Sequence, residues 1–330
     1  MRAAVLTDSH SLEVTEVPDP TPGPGELVLQ VTACGICGSD LKLRPAMPSG
    51  LVMGHEFCGE IVATGADTDA NWNIGRHVTA LPLIGCGRCL ACLTGETAHC
   101  EQADMVGVGG SPGAFAEFVR VHQRETIGLP DQLDPALGAL VEPLAVGLHA
   151  VERAHIRSGD KVLVVGAGPV GLSVLAWAAR SGASELVASD PSAVRREAAA
   201  QFGATRTIDP EVEPLEPRYE VVIECVGLPG MTSACVGAAN LHGRVVIAGV
   251  CTKPDPYVPI AAVMKELTMD FVVYYTRREF FAVVDALDQG AVDAATFVTK
   301  RVGLAGADDA FTELTEAKDQ RKILVLPELG

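Results

Sequence analysis

The chain has 330 residues, a net charge of −17, 48% hydrophobic residues and 20% charged residues. That length suits about two domains, and that apolar content is enough to bury a core, which excludes a disordered chain. The acidity excludes the classes that need a cationic face, so neither nucleic acid nor an anionic membrane is an expected partner.

Short alternating runs open the sequence: Ala3–Leu6, Leu12–Val17 and Leu27–Val31. Between them Pro18-Asp19-Pro20-Thr21-Pro22-Gly23-Pro24-Gly25 excludes a helix. Met1–Asp8 holds one Arg and an apolar run too short for a signal-peptide core. Thr32–Asp40 is turn-prone and reads as a loop. Glu60–Thr64, His77–Leu81 and Ala114–Val121 read as further strands, so an irregular β-rich domain is expected to about residue 128. The texture then changes. Leu137, Leu140, Val141, Leu144, Leu148 and Val151 fall at helical spacing over 135–155. From there strands and helices alternate: strand Lys161–Val165, helix Pro169–Arg180, strand Glu185–Ser189, helix Ser192–Phe202 capped by Ser192 and closed by Gly203, then strands Glu220–Cys225 and Arg244–Ala248. Alternation of this kind gives a parallel sheet covered by helices on both faces. A strand at Phe271–Tyr275, a helix at Arg278–Gln289 and a last strand at Lys322–Leu326 follow, and this tail is expected to pack back on the N-terminal domain. Residues 162–179 carry no charge, but Gly166, Gly168, Pro169 and Gly171 fit a strand, a turn and a helix better than a membrane span.

The ten cysteines are too sparse for a disulfide scaffold, and the expected compartment is reducing and cytoplasmic. Cys86, Cys89, Cys92 and Cys100 stand as C-x2-C-x2-C-x7-C, with Gly85, Gly87 and Gly95 letting the backbone wrap a centre. Four thiolates suit a closed tetrahedral zinc of structural type; an iron–sulfur cluster and four unconnected thiols are the competing readings.

Cys37-Gly38-Ser39-Asp40 precedes Gly54-His55-Glu56 by eighteen residues from Cys to His. Cys, His and a carboxylate form a mixed ligand set that leaves a position open for substrate or water. The alternative is a core histidine and a small buried cysteine. Glu142, an acid inside an apolar stretch, needs a partner there and is a third candidate ligand.

Gly166-Ala167-Gly168-Pro169-Val170-Gly171 is a G-x-G-x-x-G that follows a strand and opens a helix, with Asp190 nineteen residues past Gly171. That is the dinucleotide-binding βαβ pattern. Gly166 makes the tight turn, Gly168 lets a pyrophosphate approach and Gly171 lets helix and strand pack, with the pyrophosphate on the helix N-terminus. Asp190 favours NAD over NADP by binding ribose hydroxyls and repelling a 2′-phosphate, while Arg195 nearby leaves NADP open.

Together these motifs, with Glu142-Pro143-Leu144-Ala145-Val146, resemble the zinc-dependent medium-chain dehydrogenases, above all the polyol (sorbitol-type) branch, in the family's order over nearly the whole chain. The resemblance implies an α/β protein in two parts. A GroES-like catalytic domain spans 1–142 and 272–330, and a Rossmann NAD-binding domain spans 143–271, with the active site in the cleft between them. It implies two zinc ions per chain, one structural and one catalytic. Cys37 and His55 are then catalytic zinc ligands, Glu56 an exchangeable ligand or supporting carboxylate, and Glu142 a ligand or the holder of a zinc-bound water. Asp40 orients His55, and Ser39 takes the substrate's hydroxyl proton.

The implied reaction is reversible oxidation of an alcohol or polyol to a ketone or aldehyde by NAD, in a homodimer or homotetramer. Two departures point to a less polar secondary alcohol. Lys42 stands where relatives carry a relay histidine, and Val273-Tyr274-Tyr275 replaces an Arg-Tyr pair that grips substrate hydroxyls. The loop Leu43–Met53 is also short and apolar. A zinc-free quinone or enone reductase, a zinc-binding reductase of carbonyls, and a catalytically silent dinucleotide-binding relative are the alternatives.

Overall fold

The computed structural model describes residues 1–316 and 319–330. It divides into two compact units, Met1–Glu142 with Thr276–Gly330, and Pro143–Tyr275.

The first unit is built on a seven-stranded sheet. Along its path lie Val298–Val302, Lys322–Val325, Glu26–Gly35, Glu56–Thr64, His77–Ala80 and Thr126–Gly128, with Phe118–His122 also paired to Glu26–Gly35. The pairings are antiparallel except between Val298–Val302 and Lys322–Val325. Leu27, Leu29, Phe57 and Ile61 on its strands form one buried cluster with Phe115, which precedes strand Phe118–His122, and Phe311 from the C-terminal tail. The Phe115 and Phe311 rings meet edge to face at 5.8 Å, an arrangement that adds to plain burial. The last strand places Leu324 opposite Gly35 and Val325 opposite Cys34. The tail is thus part of the first unit's core.

The second unit is a six-stranded, wholly parallel sheet. Its spatial order is Arg206–Ile208, Glu185–Ser189, Lys161–Val165, Tyr219–Glu224, Ala239–Ile247, Thr268–Phe271. The chain order therefore reverses beside Lys161–Val165, and in doubly wound sheets ligands bind at that reversal. Leu163, Val165, Val187 and Val222 are buried in a cluster with Tyr219 and Val245, as strands covered on both faces require. The uncharged run 162–179 resolves into strand Lys161–Val165, the glycine turn and helix Pro169–Ala178. No helix among the described residues is long and apolar enough to cross a membrane.

Several elements differ from expectation. The stretch read as a loop from Thr32 is strand up to Gly35 and helix from Gly38 to Leu43. Its Gly35 serves close packing rather than a turn, since a Cβ there would meet Glu56 Oε2 at 2.2 Å. The strand expected at Ala114–Val121 spans only Phe118–His122. The helix expected over 135–155 begins as a 3-10 turn, Pro135–Leu140, before the α-helix Val141–Ala154. Ser192 holds the N-cap position of helix Ala193–Gln201 without a capping side-chain bond; its own N–H is taken by Asp190 Oδ1 at 2.9 Å. The strand expected at Phe271–Tyr275 lies at Thr268–Phe271. Its last residue, Phe271, and Val273 beyond it are exposed. The first unit resumes at Thr276, against the expected 272.

Candidate active site

Cys37 is the N-cap of helix Gly38–Leu43. The Ser39 N–H donates to its Sγ at 3.4 Å, and its own N–H donates to Asp40 Oδ2 at 2.9 Å. The other oxygen of Asp40 stands 3.2 Å from His55 Nδ1. One fully buried carboxylate therefore braces both Cys37 and His55. Glu56 follows directly, and ligand atoms of Cys37, His55 and Glu56 lie within 4.8 Å of one another. Glu142, near the start of helix Val141–Ala154 and 5% exposed, lies outside that trio.

The electrostatics of this point favour a cation. Burial alone pushes His55 down, but the Asp40 carboxylate and the Cys37 sulfur outweigh it and hold the imidazole well above its usual range. Soft sulfur, imidazole and carboxylate are donors that zinc takes. The residues present fit the metal.

Lys322, in the last strand, was not singled out by sequence. Its ammonium is 1% exposed and lies 2.7 and 2.6 Å from the two oxygens of Glu56, with a third bond to Ile36 O at 3.0 Å. Burial lowers its affinity for the proton, but Glu56, Cys37 and Glu142 reverse the balance and raise it. A Cβ on Gly35 would fall 2.2 Å from Glu56 Oε2, so only glycine leaves room for that carboxylate. The signal in the sequence was a lysine opening a strand whose other residues are all apolar.

The second cluster is Cys86, Cys89, Cys92 and Cys100, with sulfurs within 4.8 Å of one another. Amide N–H groups of Arg88 and Cys89 pull Cys86 down to about 6, whereas burial pushes Cys92 up. The Cys86 N–H reaches Cys100 Sγ at 3.5 Å. Sulfurs that accept amide protons this way are held ready as thiolate ligands. Gly85 and Gly87 fit tightly, because a Cβ on the first would meet Cys92 Sγ at 2.6 Å and on the second the Arg124 guanidinium at 2.6 Å.

In the second unit Gly166 has φ +94°, and a Cβ on Gly171 would stand 1.9 Å from Gly166 O. Over Gly168 nothing lies within 4 Å of where a Cβ would be, which leaves the approach that a pyrophosphate needs. Pro169 and Val170 open the helix behind it. Asp190 is 3% exposed and accepts the Ala167 N–H at 3.0 Å, tying the second strand to the glycine turn. Arg195 Nη1 is 3.8 Å from Asp190 Oδ2. Arg196 donates to the carbonyls of Asp190 and Pro191 and pairs with Asp209.

A β-rich unit with two cysteine-bearing clusters, joined to a parallel sheet with a dinucleotide turn, defines a zinc-binding dehydrogenase. The chain belongs to that family: residues 23–131 match the alcohol dehydrogenase GroES-like domain and residues 169–289 the zinc-binding dehydrogenase domain. It is 31% identical to the (R,R)-butanediol dehydrogenase of Bacillus subtilis, over 99% of this chain and 100% of that one. It is 28% identical to the sorbitol dehydrogenase of the same organism, over 99% and 97%. Among solved structures, a zinc-binding dehydrogenase of Sinorhizobium meliloti 1021 with NADP bound superposes with a TM-score of 0.90 at 31% identity, covering 99% of both chains. The protein is thus an oxidoreductase of the alcohol and polyol dehydrogenase class, acting on small-molecule alcohols with zinc and a nicotinamide dinucleotide.

Proposed function

We propose that the protein oxidises a secondary alcohol, a vicinal diol or a small polyol, to the ketone, with NAD as acceptor. The observation that carries this is the convergence of Cys37, His55 and Glu56, braced through Asp40. Cys37 and His55 hold the catalytic zinc. Glu56 or Glu142 would complete the set, and Cys86, Cys89, Cys92 and Cys100 would hold a structural zinc. Zinc supplies Lewis-acid polarisation of a hydroxyl oxygen, and the nicotinamide supplies the hydride acceptor.

The chain's own residues do the rest. Ser39, half-buried on the first turn beside Cys37, accepts the hydroxyl proton. Lys42 lies one turn further along the same helix and is exposed, so the proton leaves to solvent near it. Asp40 keeps His55 in one orientation. Gly166, Gly168, Pro169, Val170 and Gly171 cradle the pyrophosphate.

Asp190 supports NAD: an acid just past the second strand of such a unit binds ribose hydroxyls and repels a 2′-phosphate. Arg195, near Asp190 and only loosely held, supports NADP, as does the NADP bound in the similar Sinorhizobium meliloti structure. The reading carries with it a homodimer or homotetramer working in the cytoplasm, where the ten cysteines stay reduced.

The test is metal content together with NADH and NADPH formation over a panel of diols, polyols and simple secondary alcohols. About two zinc ions per chain with turnover that tracks them supports the reading. Metal without turnover on any alcohol points to the silent relative, and turnover without metal points to the zinc-free reductase.

A further inference from the structure

Strand Tyr219–Glu224 ends on a carboxylate that the proposed chemistry does not use. Glu224 is 2% exposed. Its Oε1 accepts two consecutive amide protons, from Val226 at 2.7 Å and Gly227 at 2.8 Å. Gly227 has φ +68°, so the turn presents both N–H groups to one anion, as backbone nests do. The main-chain oxygen of Glu224 accepts from Ala248 and Gly249 at 2.9 and 3.0 Å. A Cβ on Gly249 would come 2.3 Å from Oε2. One residue thus joins the turns that follow the fourth and fifth strands of the parallel sheet.

The fourth strand borders the first, beside the point where strand order reverses. The turn that Glu224 closes lies directly under the glycine turn. A Cβ on Gly166 would lie 2.6 Å from Val226 Cγ2 and 3.3 Å from the Cys225 carbonyl carbon. The Cys225 N–H donates to Val165 O at 2.8 Å, one residue before Gly166. The contact therefore runs from the Glu224 carboxylate through the backbone of Val226 to its side chain, and from there to Gly166. A buried carboxylate is a costly way to close a turn. Here it sets the height of the segment on which the dinucleotide's phosphates would rest.

We propose that Glu224 is the positioning residue of the glycine turn, acting through Val226 on Gly166 and so on pyrophosphate affinity. The inference rests on the dinucleotide reading above.

The experiment is titration of the full-length protein with NADH and NADPH, followed by nicotinamide fluorescence, for the wild type, Glu224→Ala, Glu224→Gln, Val226→Ala and the Glu224→Ala/Val226→Ala double variant. Zinc content and thermal midpoint are measured alongside. Glu224→Ala should weaken dinucleotide binding by about tenfold, the scale of one charge-assisted hydrogen bond, and raise KM for the dinucleotide. Its kcat and zinc content should stay near wild type. Glu224→Gln keeps an oxygen facing both amides and should retain most of the affinity. Val226→Ala should weaken binding in the same direction, and the double variant should lose less than the sum.

A folded Glu224→Ala with wild-type affinity overturns the proposal, as does full additivity. Should Glu224→Ala not fold, an unchanged affinity in Val226→Ala overturns it. A wild-type protein that binds neither dinucleotide overturns the dinucleotide reading and this inference with it.

Discussion

Lys322 and Glu56, 266 residues apart in sequence, form a fully buried ion pair in which one ammonium meets both carboxylate oxygens. Removing one partner of such a pair leaves a charge in the interior, at a cost of about 3–5 kcal/mol. Lys322→Met should therefore lower the thermal midpoint sharply. Lys322→Met combined with Glu56→Gln should recover part of the loss, because neither charge then remains. A calorimetric scan of both variants checks this, and equal midpoints for Lys322→Met and wild type would refute it.

The two cysteine clusters should respond differently to substitution. Cys37→Ser should abolish turnover on every alcohol while the thermal midpoint stays close to wild type. Cys89→Ser should reduce zinc from about two ions per chain to about one and lower the midpoint, because a closed four-sulfur site holds a loop with little apolar content of its own. Metal analysis and thermal melts of the two proteins separate the outcomes.

Asp40 touches both Cys37 and His55, so Asp40→Ala should weaken catalytic zinc retention by roughly ten- to a hundredfold, the usual scale for partners that orient metal ligands. Zinc release to a colorimetric chelator measures it. The slow, structural fraction of that release should be unchanged.

Glu125 is 5% exposed, and its Oε2 finds no hydrogen-bond partner among the described residues. Burial raises its pKa above the ordinary 4.5, against the smaller opposing pull of Arg277 and Arg124. A carboxylate raised in the folded state favours folding fully only below its unfolded pKa, and the benefit is lost as pH climbs through the folded value. At neutral pH its charge is a burden. Glu125→Gln should raise the thermal midpoint at pH 7–8, with the gain shrinking toward pH 4.5. A gain that grows on acidification would show the sign to be wrong.

Much of this was legible locally. Strands Lys161–Val165 and Glu185–Ser189 have the expected bounds because short apolar runs bracketed by Gly, Asp and Ser leave little choice. The glycine turn was legible because its spacing encodes backbone conformation and close approach at once. The four-cysteine group was legible because metal geometry constrains spacing within one loop.

What escaped the sequence was set by distant partners. Gly35 looked like a turn residue, but it is glycine because Glu56 occupies the space where a side chain would be. Phe271–Tyr275 reads as a strand, yet the strand ends at Phe271, and Phe271 and Val273 are exposed, at 68% and 50%. An apolar run does not say which of its faces is covered. Lys322 acquires meaning only once the last strand is seen beside Gly35.

That placement carries a consequence for how the protein comes into being. The ammonium that neutralises Glu56 is supplied by a segment that a ribosome makes only after the whole second unit has been synthesised. Until then the nascent first unit carries Glu56 without the ammonium that meets both its oxygens. Assembly of the reaction centre is thereby coupled to synthesis of the strand that follows the second unit: chains that stop before Lys322 would hold every proposed zinc ligand and still lack the partner of Glu56.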